Sequence, residues 1–266
     1  MISADGKETF YQGINLPQAG FGAQHIPGVA GKDYSWPTTS DVNLYADMGA
    51  NILRISFLWE RMQPHLNMPL EKRELAHLDA LVAAAASRKA TILMDVHNYG
   101  FYNKRLISFD AIPIAAFADL WTRLAAHYKD KPFVAFGPMN EPYRLTAEER
   151  APIKQQIINA IRETGASQLI LVPGTHWSGA HSWTSKDGRL SNAEALANFT
   201  DPAHHFIFEA HEYFDVDSSG THPACVSEDV GPPKACGNDS MAAADDEQGI
   251  FWANSVLLRT PYVSRP

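Results

Sequence analysis

Short apolar segments alternate with amphipathic helical stretches along most of the chain, and this alternation constrains the fold more than any other feature. The apolar segments are 12–16, 51–57, 91–96, 133–138, 169–172 and 205–210. Each is too short for a helix and lacks the in–out alternation of a half-exposed strand, so each reads as a strand buried on both faces. Between them lie helical patterns. Residues 40–49 open on a Ser or Asp cap and stop at Gly49. Residues 70–89 repeat Leu75, Leu78, Leu81 and Val82, and residues 112–128 place Phe117, Leu120, Trp121, Leu124 and Ala125 on one stripe. Residues 146–164 start with the capping box Thr146-Ala147-Glu148-Glu149, and residues 191–198 form a shorter helix. Six strand–helix alternations call for a parallel sheet covered by helices. A chain of 266 residues has room for one barrel of eight such units, which needs about 250. A doubly wound open sheet is the alternative. It is disfavoured because no strand is followed by the glycine fingerprint of dinucleotide-binding sheets.

The pattern fails after about Gly231. The run Pro232-Pro233-Lys234-Ala235-Cys236-Gly237-Asn238-Asp239-Ser240 has no periodicity, residues 241–249 suit a short helix, and Phe251 to Pro266 show no evident strand–helix unit. The chain therefore divides into residues 1–230, with six recognisable β/α units, and a divergent tail, 231–266. A barrel without its last two strands would expose sheet edges and apolar interior, and would need a dimer partner or its own tail as cover.

Charge and composition exclude several classes of function. Thirty acidic against 22 basic residues give a net charge of −8, which does not suit a polyphosphate partner, so no nucleic acid is expected. No apolar run is long enough to span a membrane, and Met1 to Lys7 carries no export signal. Two cysteines, Cys225 and Cys236, are too few for a structural zinc site, and one bridge or two free thiols fit them equally.

In parallel α/β folds chemistry gathers beyond the carboxyl ends of strands. There the chain carries Trp59-Glu60, then His97-Asn98-Tyr99, Asn140-Glu141-Pro142, Thr175-His176-Trp177 with His181-Ser182-Trp183, and His211-Glu212-Tyr213. Turn residues alone would give mostly Gly, Asp, Ser and Pro at those places. Arg54 lies inside an apolar strand, where its charge needs a partner. It is either a structural ion pair or the group that orients a carboxylate. Glu141 is the natural candidate for proton transfer. Tryptophans near a polar cleft suit stacking on the C–H faces of sugars, although Trp177 and Trp183 could equally be core.

The ordered motifs Asn51-Ile52-Leu53-Arg54-Ile55, Asp95-Val96-His97-Asn98-Tyr99, Asn140-Glu141-Pro142 and His211-Glu212-Tyr213-Phe214-Asp215 resemble family 5 glycoside hydrolases, the cellulase family A endoglucanases. Residues 173–183 and 217–222 look like the endoglucanase branch, and the resemblance covers roughly residues 10–230. It implies a (β/α)8 TIM barrel, incomplete here at its C-terminal end. It further implies a secreted enzyme that cleaves internal β-1,4-glucan bonds with retention and needs no metal or organic cofactor. Retention uses two carboxylates about 5–5.5 Å apart. By the resemblance Glu141 is the acid/base and Asn140 contacts the sugar 2-hydroxyl. Arg54, His97, His211 and Tyr213 complete the site, with Trp177 as a substrate-binding residue. Cys225 matches a position bridged in some relatives.

One departure matters. The family's nucleophile is a glutamate in a Gly-Glu-Phe-Gly type motif, some 40 residues past the match to His211. This chain has Phe251-Trp252-Ala253-Asn254-Ser255-Val256 there, and the later glutamates, Glu228 and Glu247, sit at no recognisable strand end. With GCG for Ala253, AAT for Asn254 and TCG for Ser255, reading two bases later gives Leu-Gly-Glu-Phe-Gly from the same stretch. A frameshift near residues 231–236 would explain the tail, and sequencing the coding DNA tests it. Three functions are thus open: a retaining endoglucanase, a glucan-binding barrel with impaired turnover, and a related mannanase or xyloglucanase.

Overall fold

The computed structural model describes residues 10–213, residue 215 and the backbone of 255–258. The domain boundary near 231, Cys225, Cys236, Glu228, Glu247 and residues 251–254 lie outside the described residues.

The main sheet has seven strands in the order β1 (Gly13–Leu16), β2 (Ile52–Phe57), β3 (Thr91–Val96), β6 (Val134–Gly137), β7 (Leu169–Pro173), β8 (Phe206–His211) and β9 (Ser255–Leu258). The first six pair in parallel with their sequence neighbours and curve into a half-barrel, and these are the six strands predicted from the apolar runs. β3, β6 and β7 are buried entirely and β2 at all but Ile52, as parallel strands covered on both faces must be, whereas β1 at the end of the sheet is buried only at Leu16. β9 runs antiparallel to β8, with His211 opposite Ser255 and Phe208 opposite Leu258. The tail thus contains a strand where the pattern showed no strand–helix unit, and its direction sets it apart from the β/α repeat. Among the described residues the sheet does not close.

Helices α1 (Thr39–Asp47), α3 (Lys72–Ser87), α4 (Ile114–Tyr128) and α5 (Ala147–Glu163) cover the outer face, with a one-turn α6 (Asn192–Ala195) before β8. The predicted stripe on α4 is buried as a unit: Phe117, Leu120, Trp121, Leu124 and Ala125 are each 4% exposed or less. The cap of α1 differs from the expected Ser or Asp. Thr38 is the N-cap and forms a reciprocal capping box with Asp41, while Gly49 takes the positive φ of 100° that ends the helix region. Two elements follow from no periodic signal: the one-turn helix α2 (Trp59–Met62) after β2, and a hairpin of two-residue strands, β4 (Phe101–Tyr102) and β5 (Arg105–Leu106).

Candidate active site

Side chains alternate along a strand, so residues two apart share a face. This places Arg54 with Ser56 on β2, Asp95 with His97 on β3 and just past it, and Glu209 with His211 and Tyr213 on β8 and past it. The register sets Ser56 opposite Asp95, and the Ser56 hydroxyl donates to Asp95 Oδ2 at 2.8 Å. Beyond β6 come Asn140 and Glu141. All these groups meet at the carboxyl end of the sheet.

Arg54 is the hub. One guanidinium nitrogen donates to Asp95 at 3.0 Å and to the side-chain oxygen of Asn140 at 2.9 Å, and the other pairs with Glu209 and lies 3.4 Å from His211. Burial works against both carboxylates, but Arg54 and the neighbouring histidines more than offset it. The Asp95 and Glu209 carboxyls are both held below the usual range. Arg54 is in turn held more firmly cationic, because its two carboxylates outweigh its own burial.

Two histidines pass this charge on. His97 Nδ1 donates to Asp95 at 2.7 Å, which leaves Nε2 to accept from the Tyr99 hydroxyl at 3.1 Å and to face the Asn140 amide at 3.4 Å. His211 lies between two carboxylates, with Nδ1 2.6 Å from Glu141 Oε1 and Nε2 3.2 Å from Glu209 Oε1. Burial alone would lower its pKa, yet the hydrogen bonds to Glu141 and Glu209 push it up to about 9, so both ring nitrogens donate at neutral pH. The Tyr213 hydroxyl reaches the same Glu141 oxygen at 3.5 Å, the outer limit of a hydrogen bond. Glu141 Oε2 has no hydrogen-bond partner among the described residues. The Glu141 backbone sits at φ 40°, a left-handed conformation that a non-glycine residue keeps only when its surroundings enforce it.

Of the residues singled out in the sequence, Arg54, His97, Asn140, Glu141, His211 and Tyr213 are brought together. Trp177 stands apart from this network. It lies on a short 3₁₀ turn, is 52% exposed, and stacks on Tyr143 with centroids 5.2 Å apart and planes 14° from parallel. Trp183 packs half-buried against Phe208. Trp59 and Glu60 are structural. Trp59 is fully buried against Tyr102 and Phe117, and Glu60 accepts from the Asn98 amide at 2.7 Å. Sequence reasoning missed Asp95, Ser56 and Glu209. The signal for Glu209 was available, since a carboxylate inside Phe206-Ile207-Phe208-Glu209-Ala210 is as costly as the arginine that drew notice inside β2. No cluster of three or more metal-ligating side chains occurs among the described residues.

The model of the cellulase family, glycosyl hydrolase family 5, matches residues 2–247. The chain belongs to that family. Among proteins similar to this family 5 chain, Endo-beta-1,4-glucanase B of Aspergillus niger is 37% identical over 220 residues, 82% of this chain and 63% of the relative. Endoglucanase 3 of Humicola insolens is 33% identical over 250 residues, 93% of this chain and 62% of the relative. The chain thus spans less than two thirds of the length of these relatives. An endo-beta-1,4-glucanase from Xanthomonas axonopodis pv. citri superposes with a TM-score of 0.80 at 43% identity, covering 82% of this chain and 69% of that one. The structure of XacCel5A in complex with cellopentaose gives the same TM-score and coverage at 46% identity.

Proposed function

We propose that this family 5 chain is a retaining endo-β-1,4-glucanase in which Glu141 is the acid/base. The observation that carries this reading is the setting of Glu141. One of its oxygens is fixed by His211 and Tyr213, the other has no protein partner among the described residues, and the strained backbone holds the carboxyl at the carboxyl end of the sheet. Glu141 gives its proton to the leaving glycosidic oxygen, and later takes one from the water that attacks the glycosyl–enzyme bond. Asn140, fixed through its oxygen by Arg54, turns its amide nitrogen toward His97 and the sugar 2-hydroxyl. The exposed Trp177 face, backed by Tyr143, offers a platform for a glucose ring. A β-1,4-glucan is the substrate favoured by the cellopentaose bound to XacCel5A and by the names of the relatives. A polymeric glucan is reached outside the cell, so the reading includes secretion.

Retention also needs a nucleophile. Glu209 does not suit that part: it is 1% exposed and its Oε1 is taken by Arg54 and His211. The stretch Phe251-Trp252-Ala253-Asn254-Ser255-Val256, where the family's spacing puts the nucleophile, has no carboxylate. This favours one second reading, a glucan-binding barrel without turnover, its tail the product of a frameshift.

Reducing-sugar release from soluble carboxymethyl cellulose, with Glu141→Gln as control, separates the two. Release that falls at least about a hundredfold in Glu141→Gln supports the enzyme. No release by a folded chain that still binds cello-oligosaccharides supports the binder. Faster release from mannan or xyloglucan would overturn the substrate assignment.

A further inference from the structure

We infer, on the reading of Trp177 as a sugar platform, that Thr175 and Ser178 are positioning residues for glucan binding: their buried hydroxyls fix the left-handed turn that holds Trp177 over Tyr143.

The backbone of this turn is unusual. His176, Trp177 and Ser178 have φ of 53°, 54° and 59°, three non-glycine residues in succession in the left-handed region. L-residues enter that region singly, because Cβ crowds the following carbonyl oxygen. Such strained residues persist only where the surroundings enforce them, and they cluster at ligand clamps. Burial of a large side chain does not offset the strain here. Trp177 stays 52% exposed, with one face on the Tyr143 ring at a centroid distance of 5.2 Å. The strain serves the placing of the ring.

Hydrogen bonds at both ends hold the turn, and Thr175 and Ser178 are both fully buried. At the start the Thr175 hydroxyl donates to the Leu145 carbonyl at 2.7 Å, which ties the turn to the loop carrying Glu141 and Tyr143. The Thr175 amide donates to the Asn192 side-chain oxygen at 2.8 Å. At the end the Ser178 hydroxyl accepts from the Gly174 amide at 2.8 Å, just past β7, and donates to the Glu209 carbonyl on β8 at 2.6 Å. Two residues on, the Ala180 amide donates to the His211 carbonyl at 2.7 Å. The two hydroxyls thus join the strained turn to the acid/base loop and to the strand whose His211 holds Glu141. They set Trp177 at a fixed place relative to Glu141. Without either one, the turn relaxes toward right-handed backbone and carries the Trp177 ring off Tyr143.

The test is a double-mutant cycle on cellopentaose affinity, read by calorimetry on the full chain carrying Glu141→Gln, so that no ligand is consumed. Trp177→Ala is expected to weaken binding about tenfold, and Ser178→Ala about fivefold. The double variant is expected to bind no more weakly than Trp177→Ala alone, because the hydroxyl acts through the ring. Parent-like affinity in Ser178→Ala, beside a weakened Trp177→Ala, overturns the positioning role and leaves the platform reading standing. Losses that multiply in the double variant do the same, since they would mean a general disturbance of the fold. Parent-like affinity in Trp177→Ala, or no binding by the folded parent, overturns the platform reading and the positioning role with it. Should Ser178→Ala fail to fold, Thr175→Val keeps the side-chain shape, removes the bond to Leu145 and decides by the same criteria.

Discussion

A guanidinium sealed inside a sheet is tolerable only where carboxylates meet it, and Arg54 meets two. Arg54→Ala would leave Asp95 and Glu209 buried without a counter-charge. The expected loss is about 3–5 kcal/mol of stability, read from denaturant unfolding, together with most of any glucanase activity. A soluble, fully active variant would contradict the hub role. His211 adds a pH dependence. Its folded pKa, raised to about 9, lies above the ordinary value near 6.5, so its contribution to stability is complete below about 6.5 and fades as pH rises through about 9. The Tyr99 and Tyr213 phenols, raised by burial and by the Glu141 charge, are pushed up beyond that window and do not share the transition. The melting midpoint is therefore expected to fall between about pH 7 and pH 9, and to fall less in His211→Gln. Six residues of this network were legible because their types are unusual at strand ends or inside strands. Asp95 and Glu209 were not singled out because one reads as part of a histidine motif and the other as strand. Only the three-dimensional register shows that both face Arg54.

Helix α5 is tied to the strand that carries Glu209 and His211 by one buried clamp near its C-terminus. Arg162 grips Asp201 with two nitrogens, at 2.7 and 2.9 Å, and also donates to the Ala166 and His205 carbonyls. Asp201 accepts in addition from the backbone amides of Ala203 and His205, so the turn leading into β8 is folded around one carboxylate. Burial resists that charge, but Arg162 and the two amides prevail and hold the carboxyl below its ordinary value. A depressed carboxylate stabilises above its unfolded pKa, near about 3.9, and that stability is lost as pH falls through the lower folded value. Asp201→Asn keeps the shape and removes the charge. It is expected to cost about 3 kcal/mol at pH 7 and progressively less below about pH 4, read from denaturant midpoints across that range. An equal cost at all pH values would mean the carboxylate is not ionised in the fold. At this scale the sequence was informative where elements are long: periodicity found α3, α4 and α5 within a residue or two of their ends. It had no means of finding α2 or the β4–β5 hairpin, whose elements span only about one period of the pattern each and are set by contacts distant in sequence, such as the Tyr102 hydroxyl donating to the Pro64 carbonyl at 2.8 Å.

The whole molecule depends on how the sheet ends. β8 carries Glu209 and His211 and would be an edge strand if it paired with β7 alone. Edge strands exchange their amides readily and pair with whatever is near. Here β9 supplies a second partner, so the site strand lies inside the sheet although β9 comes from the part of the chain with no recognisable β/α unit. The composition of that stretch could not reveal this. No helical pattern accompanies this strand as one accompanies the others, and its antiparallel direction falls outside the repeat that made the rest readable. The consequence can be measured by hydrogen exchange. In the full chain the amides of Phe206 to His211 are expected to be protected like those of β7, whereas β1, with a partner on one side only among the described residues, exchanges faster. A chain ended at Gly249 should exchange at β8 as fast as at β1 and melt several degrees lower, since Glu209 and His211 would then sit on a fraying strand. Equal protection of β8 in the two chains would mean that β9 contributes nothing to the site strand, and that its order comes from β7 and the Arg54 network alone.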